Sequence, residues 1–448
     1  MRKILAVWAA KAAATASRML GKNGSSTPGT IALKICPDIL TRLSGDISKD
    51  IVAVWGTNGK TTTNNMILTV LENQGSTVVC NKVGSNMLSG VVAAFINYAT
   101  LSGKVKADYA CLEMDEAYAR IILKYITPTK IVITNLFRDQ MDRYGEIDTT
   151  IKYIQEALGK AEDSLLVLNG DDPLTASLGL EHKNTVYYGI SENLGLNLNE
   201  TREGRYCRVC GNELKYEFYQ YGQLGKYRCD KCGFKRPVPQ YDGSNITSDD
   251  YVSFDVKGAH VDLPCKGIYN IYNALAAYAF ADSCGIETKK IVDGLQKYKG
   301  QSGRMEEFTI KGKLVVFNLA KNPASFNRSI SNVLAEKRTK DVVIGINDND
   351  PDGNDVSWLW DVDFEQLKDS SVKSCTTTGI RAKDMTVRLK YCDIPEKEIT
   401  TLENTKQAIM NAVNGSGERV YIVVNYTLLF STKKVLQELE EEYKEGDA

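Results

Sequence analysis

The sequence predicts an α/β protein: a central parallel sheet wrapped by helices, a small four-cysteine insertion, and a second, smaller C-terminal α/β unit. Three observations carry this. Between residue 51 and about residue 200, short apolar runs alternate with amphipathic stretches, the pattern of βαβ units. Cys207-x-x-Cys210 and Cys229-x-x-Cys232 interrupt that pattern. From residue 301 a new alternation begins. The 448 residues suffice for two or three domains. The expected division is a helix and lead-in at 1–50, a central domain at 51–300 with its insertion at about 201–240, and a C-terminal domain at 301–448.

Composition narrows the function. A net charge of −1 sets up no global field for nucleic acid or an anionic surface. The two histidines, His182 and His260, argue against histidine-based chemistry. Of eleven cysteines, four cluster and seven are scattered, as expected of buried thiols in a reducing compartment.

Residues 1–20 begin with Arg-Lys and an apolar stretch, which imitates a signal peptide. Lys11 and Arg18 interrupt it, and Ile4–Ala10 is too short to span a bilayer. An amphipathic helix is the better reading, packed on the domain or touching a membrane surface. Residues 21–50 read as a loop and a short helical lead-in.

Strands are expected at 51–55, 77–80, 107–113, 130–135 and 164–168. After the first comes Gly56-Thr57-Asn58-Gly59-Lys60-Thr61-Thr62, then a helix-spaced stretch. Strand, glycine turn, Lys-Thr and helix form a phosphate cradle, here shorter than the strict Walker A spacing. Gly56 and Gly59 let N–H groups face an anion, Lys60 reaches the β/γ phosphates, and the Thr61 hydroxyl holds Mg²⁺. Ligands of such sheets sit at the carboxyl ends of strands, where Glu113 and Asn135 also fall. Glu113 suits Mg²⁺; it also suits a solvated acid or a helix cap in Glu113-Met114-Asp115-Glu116.

The paired C-x-x-C knuckles, each followed by glycine, have zinc-ribbon spacing. Four thiolates make a closed, structural zinc site. Disulfides or a redox pair are disfavoured by the other unpaired cysteines. The tyrosine-rich segment between the knuckles reads as short strands. It has no basic stripe, so an architectural or partner-binding role is favoured over nucleic acid.

After a brief return of strand pattern from residue 251, Gly267-x-x-Asn270-x-x-Asn273 opens an alanine-rich helix. The two amides share one face; they could read a base edge or act as caps. In the C-terminal domain, strands are expected at 341–346, 372–377 and 419–424, and Pro323 suits a helix start. The Asp348–Asp355 run imitates an EF-hand loop, but its twelfth position is Leu359 and Pro351 lies inside it, which excludes calcium. Trp358 and Trp360 beside these acids suit a partner surface, or else the core. The acidic tail from Glu438 reads as a fraying helix end.

Together these segments resemble the Mur ligase family. Gly56–Thr62 is similar to its ATP loop, and Glu113 to its Mg²⁺-binding glutamate. Thr134-Asn135-Leu136 with Asp139 and Asp142, and Asn169-Gly-Asp-Asp-Pro173, are similar to two further family stretches. Gly267-x-x-Asn270-x-x-Asn273 resembles the adenine-contacting helix start. Gly303-Arg304-Met-Glu resembles the arginine that reaches ATP, and Asn318-Leu-Ala-Lys-Asn-Pro323 a segment near ribose and phosphates. Gln140, Asn318 and Lys321 replace the family's histidine, aspartate and second histidine. With the four-cysteine insertion, the Asp348–Glu365 loop and Thr378–Met385, they resemble one branch, the synthetase subunit of lipid II isoglutaminyl synthase.

The resemblance implies a fold and a reaction. The fold is a Mur ligase-like central ATPase domain with an inserted zinc ribbon. The reaction is ATP-dependent amidation of the D-glutamate α-carboxylate in the lipid II stem peptide, through an acyl phosphate, giving D-isoglutamine. It implies ATP, Mg²⁺ and structural Zn²⁺, and a hetero-oligomer with the glutaminase subunit GatD, in the cytoplasm at the inner membrane face. In that system the synthetase lends an aspartate to orient its partner's catalytic histidine, and the matching residue here is Asp355. Two other functions compete: an amino-acid-adding ligase of Mur or folylpolyglutamate type, and a non-catalytic nucleotide-binding scaffold for a glutaminase.

Overall fold

The structure, a computed structural model, describes residues 1–19, 26–81, 86–137, 147–195, 203–248, 251–300 and 305–445. The chain forms two compact units, with the change from one to the other between Lys299 and Gly300.

The first unit is built on a mixed sheet. Its strands are β1 (Ile51–Trp55), β2 (Val78–Cys80), β3 (Tyr109–Glu113), β4 (Lys130–Ile133), β5 (Leu165–Asn169), β6 (Thr185–Ile190), β9 (Tyr241–Ser248), β10 (Val252–Val256) and β11 (Ala259–Leu263). Between them in sequence, β7 (Lys215–Tyr221) and β8 (Leu224–Arg228) pair separately as a hairpin. The sheet order is β11-β10-β9-β6-β5-β4-β1-β3-β2. From β2 across to β9 the neighbours run parallel; β9, β10 and β11 are antiparallel. The inner strands β1, β3, β4 and β5 are apolar and buried almost throughout, as a sheet covered on both faces requires. Their positions agree with the periodicity to within two residues.

The sequence pattern stopped short of β6 and β9. Both are partly exposed and read as Thr-Val-Tyr-Tyr-Gly-Ile and Tyr-Asp-Gly-Ser-Asn-Ile-Thr-Ser, so neither shows an apolar run. The sheet is accordingly longer than the alternation indicated, and its far edge is antiparallel.

The N-terminal stretch forms α1 (Arg2–Met19), α2 (Thr27–Ile35) and α3 (Ile39–Ser44). Ala6, Val7 and Ala10 of α1 join the core that includes Ala32, Leu40 and Phe95. Leu5 and Trp8 face solvent. No helix among the described residues is long and apolar enough to cross a membrane. The loop after β1 feeds α4 (Lys60–Asn73).

The second unit carries a six-stranded sheet in the order β12-β13-β17-β14-β15-β16. These are Glu306–Ile310, Lys313–Leu319, Arg419–Val424, Lys340–Gly345, Val372–Thr378 and Ile399–Thr401. Only the β12–β13 pair is antiparallel. Asn322 and Ser325 form a reciprocal capping box on the helix Pro323–Ala335, with Pro323 in its first turn. The acidic tail from Glu438 lies on the helix Leu429–Glu445, where Leu439 is buried and Glu440 accepts from Thr309 N at 2.7 Å.

Candidate active site

The carboxyl end of β1 is the focus of the first unit. In register, Val54 stands beside Glu113 of β3, and Trp55 beside Ile133 of β4. Gly56 and Gly59 then take φ values of 118° and 82°. A Cβ on Gly56 would lie 2.2 Å from Thr134 Oγ1, and one on Gly59 2.3 Å from Asn273 Oδ1. Glycine is therefore needed twice over, for conformation and for space.

The loop is held from outside by the segment after β4. Thr57 N donates to Asn135 O at 2.8 Å and Asn58 N to Asn135 Oδ1 at 3.0 Å. Asn135 Nδ2 and Thr134 Oγ1 return bonds to Asn58 O at 3.0 and 2.7 Å. Thr57 Oγ1 donates to Phe137 O and accepts from Phe137 N. At the start of α4 the N–H groups of Lys60, Thr61 and Thr62 have no intrahelical acceptor, which makes this end a natural seat for phosphate.

Lys60 is buried. Its Nζ donates to Gly56 O at 2.5 Å and to Glu116 Oε1 at 2.8 Å. Burial works against its charge, but the carboxylates of Glu116, Glu113 and Asp115 outweigh that and raise its pKa above the ordinary lysine range. Glu116 was not foreseen. It opens the helix Glu116–Ile122, whose N-cap Asp115 accepts Ala117 N at 3.1 Å. The only trace of it in the sequence is the acid run after β3.

Glu113 is buried, and Asn81 clamps its backbone from both sides, with Asn81 Nδ2 to Glu113 O at 2.7 Å and Glu113 N to Asn81 Oδ1 at 2.9 Å. Among the described residues no hydrogen bond reaches the Glu113 carboxylate or the Thr61 hydroxyl. Their oxygens are of the hard type that Mg²⁺ takes, and the glycine cradle with its free helix N–H groups fits a nucleotide's phosphates.

Asn270 and Asn273 lie on the helix Tyr269–Ser283, and their amides are partly spent. Asn270 Nδ2 donates to Lys266 O, Asn273 Nδ2 to Asn270 Oδ1, and Thr63 Oγ1 to Asn273 Oδ1. Asn273 thus backs Gly59 and the first turn of α4. In the second unit Asn318 is buried, accepting from Met305 N and donating to Ser329 Oγ at 2.7 Å. Arg304, Asp139, Gln140 and Asp142 lie outside the described residues.

The four cysteines of the insertion form one cluster, their sulfurs all within 4.8 Å of one another. Cys207–Cys232 and Cys210–Cys229 are each 3.5 Å apart, so the close pairs cross between the two knuckles. That is too far for disulfides and close to the roughly 3.8 Å separation of tetrahedral thiolates around zinc. The N–H groups of Cys232 and Lys231 help bring the Cys229 thiol down to about 7. The donor set fits zinc. None of the eleven cysteines forms a disulfide.

Asp355 is exposed in the second unit. Its Oδ1 accepts Ser357 N at 2.8 Å, which holds its pKa below the usual carboxylate range. Neighbouring Asp352 accepts from Thr427 N and Thr427 Oγ1. The two tryptophans divide: Trp358 packs on Phe326 at 5.3 Å, while Trp360 is 55% exposed and meets Tyr391 edge-on.

The Mur ligase middle-domain family matches residues 54–281, and the MurT ligase C-terminal family matches residues 319–429. The chain is 37% identical over 449 aligned positions, covering 100% of both chains, to the lipid II isoglutaminyl synthase (glutamine-hydrolyzing) subunit MurT of Staphylococcus aureus strain COL. It is 35% identical, over 92% of each chain, to the subunit of that name from Streptococcus pneumoniae. Among solved structures, a pseudomurein peptide ligase type C from Methanothermus fervidus superposes with a TM-score of 0.72 at 25% identity, over 90% of this chain and 81% of that one. MurF ligase from Thermotoga maritima in complex with ADP shares the fold, with a TM-score of 0.66 at 15% identity over 92% of this chain and 84% of that one.

Proposed function

From the premise that this chain belongs to the Mur ligase family, in its branch of lipid II isoglutaminyl synthase MurT subunits, we propose that it is the ATP-dependent amidating subunit of such an enzyme. The observation that carries this is the end-to-end match to MurT subunits, which takes in both the nucleotide unit and the C-terminal unit.

The chemistry follows in two steps. An oxygen of the D-glutamate α-carboxylate in lipid II attacks the γ-phosphorus of ATP; the acyl phosphate forms and ADP leaves. Ammonia then attacks the acyl carbon, loses a proton and expels phosphate, leaving D-isoglutamine. The chain's part is positioning and neutralisation of charge. The α4 N–H groups and Lys60 would hold the phosphates, with Glu116 keeping Lys60 aimed. Thr61 and Glu113 would hold Mg²⁺, which supplies further charge neutralisation. The resemblance to Mur ligases also gives nucleotide-binding roles to Asn270 and Asn273, and separately to Arg304 and Asn318. The ribbon's Cys207, Cys210, Cys229 and Cys232 would hold a structural zinc.

Ammonia would come from a glutaminase subunit, GatD. Asp355 is ionised, exposed and fixed by Ser357, as an acid that orients a histidine across an interface must be. Exposed Trp360, with the Arg388 guanidinium 5.3 Å from its ring and Tyr391 at its edge, offers an aromatic anchor nearby in sequence. The reaction would set the chain in the cytoplasm, at the inner face of the membrane, and free thiols suit that compartment.

The test is an amidation assay with lipid II and ATP, comparing ammonium, glutamine and free amino acids, with and without the glutaminase subunit. Ammonium-driven D-isoglutamine formation by the chain alone, with glutamine serving only in the complex, is the expected result. Turnover that depends on a free amino acid would replace this reading with an amino-acid-adding ligase.

A further inference from the structure

The four-cysteine insertion has no place in the reaction above, yet its hairpin turn reaches the segment that holds the phosphate loop. Gln223, at the tip of β7–β8, is fully buried. Its Nε2 donates to Leu136 O at 2.6 Å and, more weakly, to Asp172 Oδ1 at 3.4 Å. Asp172 Oδ2 in turn accepts Leu136 N at 2.8 Å, so the Leu136 peptide groups are gripped on both sides. One residue on, the Phe137 ring stacks on Tyr221 of the same hairpin, with centroids 6.3 Å apart and planes 18° from parallel. Phe137 is the residue whose N–H and carbonyl both bind Thr57 Oγ1.

The grip leads back to the cysteines. Tyr216 OH donates to Gln223 O at 3.0 Å, and the Tyr216 ring packs against the small core that contains Cys207 and Cys229. Among the described residues, no hydrogen-bond partner reaches the buried Gln223 Oε1. A turn that served packing alone would do better with an apolar side chain, because an unmatched buried carbonyl lowers stability. What the amide does here is done at its other end, where Nε2 holds Leu136 O.

We propose that the ribbon is a brace for the nucleotide loop, with Gln223 and Tyr221 as positioning residues. They fix Leu136 and Phe137, which with Asn135 fix Thr57 and Asn58, so the ribbon sets nucleotide affinity without touching nucleotide. This rests on the reading of Gly56–Thr62 as the nucleotide loop.

The test uses the full chain, or its complex if a partner subunit co-purifies, titrated with a fluorescent ATP analogue. Gln223→Met keeps the volume and removes both hydrogen bonds; Tyr221→Leu removes the ring stack and supplies a second variant if the first fails to fold. Each should weaken analogue binding about tenfold and raise KM for ATP in step. Zinc content, by elemental analysis, should stay at the wild-type level, and kcat at saturating ATP should stay within about twofold. Unchanged affinity and KM in a folded variant, even with a lowered unfolding midpoint, would overturn the brace and leave a structural hairpin. A wild-type chain that fails to bind the analogue would overturn the loop reading itself, and the brace with it.

Discussion

Lys60 Nζ stands 2.8 Å from Glu116 Oε1, and both side chains are about nine-tenths buried. The pair holds the ammonium beside the Gly56–Thr62 turn, where, on the proposed function, arriving phosphates would compete for it. Lys60→Ala should therefore lower ammonium-driven amidation by about 10²–10³-fold, the scale of losing one preorganised charge-stabilising group. ADP release in the presence of lipid II measures it, and amidation that survives intact would favour the scaffold reading. Glu116→Ala should cost about 3 kcal/mol in urea unfolding, toward the low end for breaking a buried pair, because Glu113 and Asp115 still face the ammonium.

Asp172 gives a pH signature. Burial pushes its carboxyl up to about 7, against the hydrogen bonds of Leu136 N, Leu174 N and Gln223. The folded state then holds this proton more tightly than the unfolded chain, so the group's contribution is full below the ordinary aspartate value and is lost as pH rises toward 7. Its slope is at most about 1.4 kcal/mol per pH unit. Asp172→Asn should be the less stable protein at pH 5 and gain on wild type up to pH 7, with only a few tenths of a kcal/mol (about RT ln 2) of further gain to pH 8. Urea unfolding across that range checks it; parallel curves would assign the carboxylate an ordinary pKa.

Elemental analysis should find one zinc per chain. Cys229→Ser should lose it, and a strong chelator should lower the unfolding midpoint, since the ribbon's core is little more than the residues around Cys207, Tyr227 and Phe234. A metal-free chain with four oxidised cysteines would return the insertion to disulfides.

Asp355→Asn separates the two nitrogen sources. Glutamine-driven amidation in the complex should fall by about 10³-fold or more, as when a histidine loses the carboxylate that fixes its tautomer. Ammonium-driven amidation should not change. Equal losses with both donors would remove Asp355 from that role.

Much of this was open to reading along the chain because it is local. The buried strands β1, β3, β4 and β5 are continuous apolar runs, and the phosphate loop needs its glycines, Lys60 and Thr61 within a few residues. The paired C-x-x-C knuckles likewise announce the four-cysteine cluster by their spacing. β6 and β9 escaped because they are only half covered, so their residues carry no periodic signal.

The chain's own order therefore determined the glycine turn before α4, the four-cysteine cluster and the two α/β units. The fold alone decided which groups meet. Glu116 is one acid in a run until the end of β3 turns it toward Lys60. Asn273 is one of two amides on a helix face until the helix Tyr269–Ser283 sets it against Gly59 and Thr63. Gln223 is an unremarked turn residue until its hairpin folds back onto Leu136, 87 positions earlier. Contacts between residues so far apart leave no local pattern, because what selects them is the burial of polar groups that must find a partner.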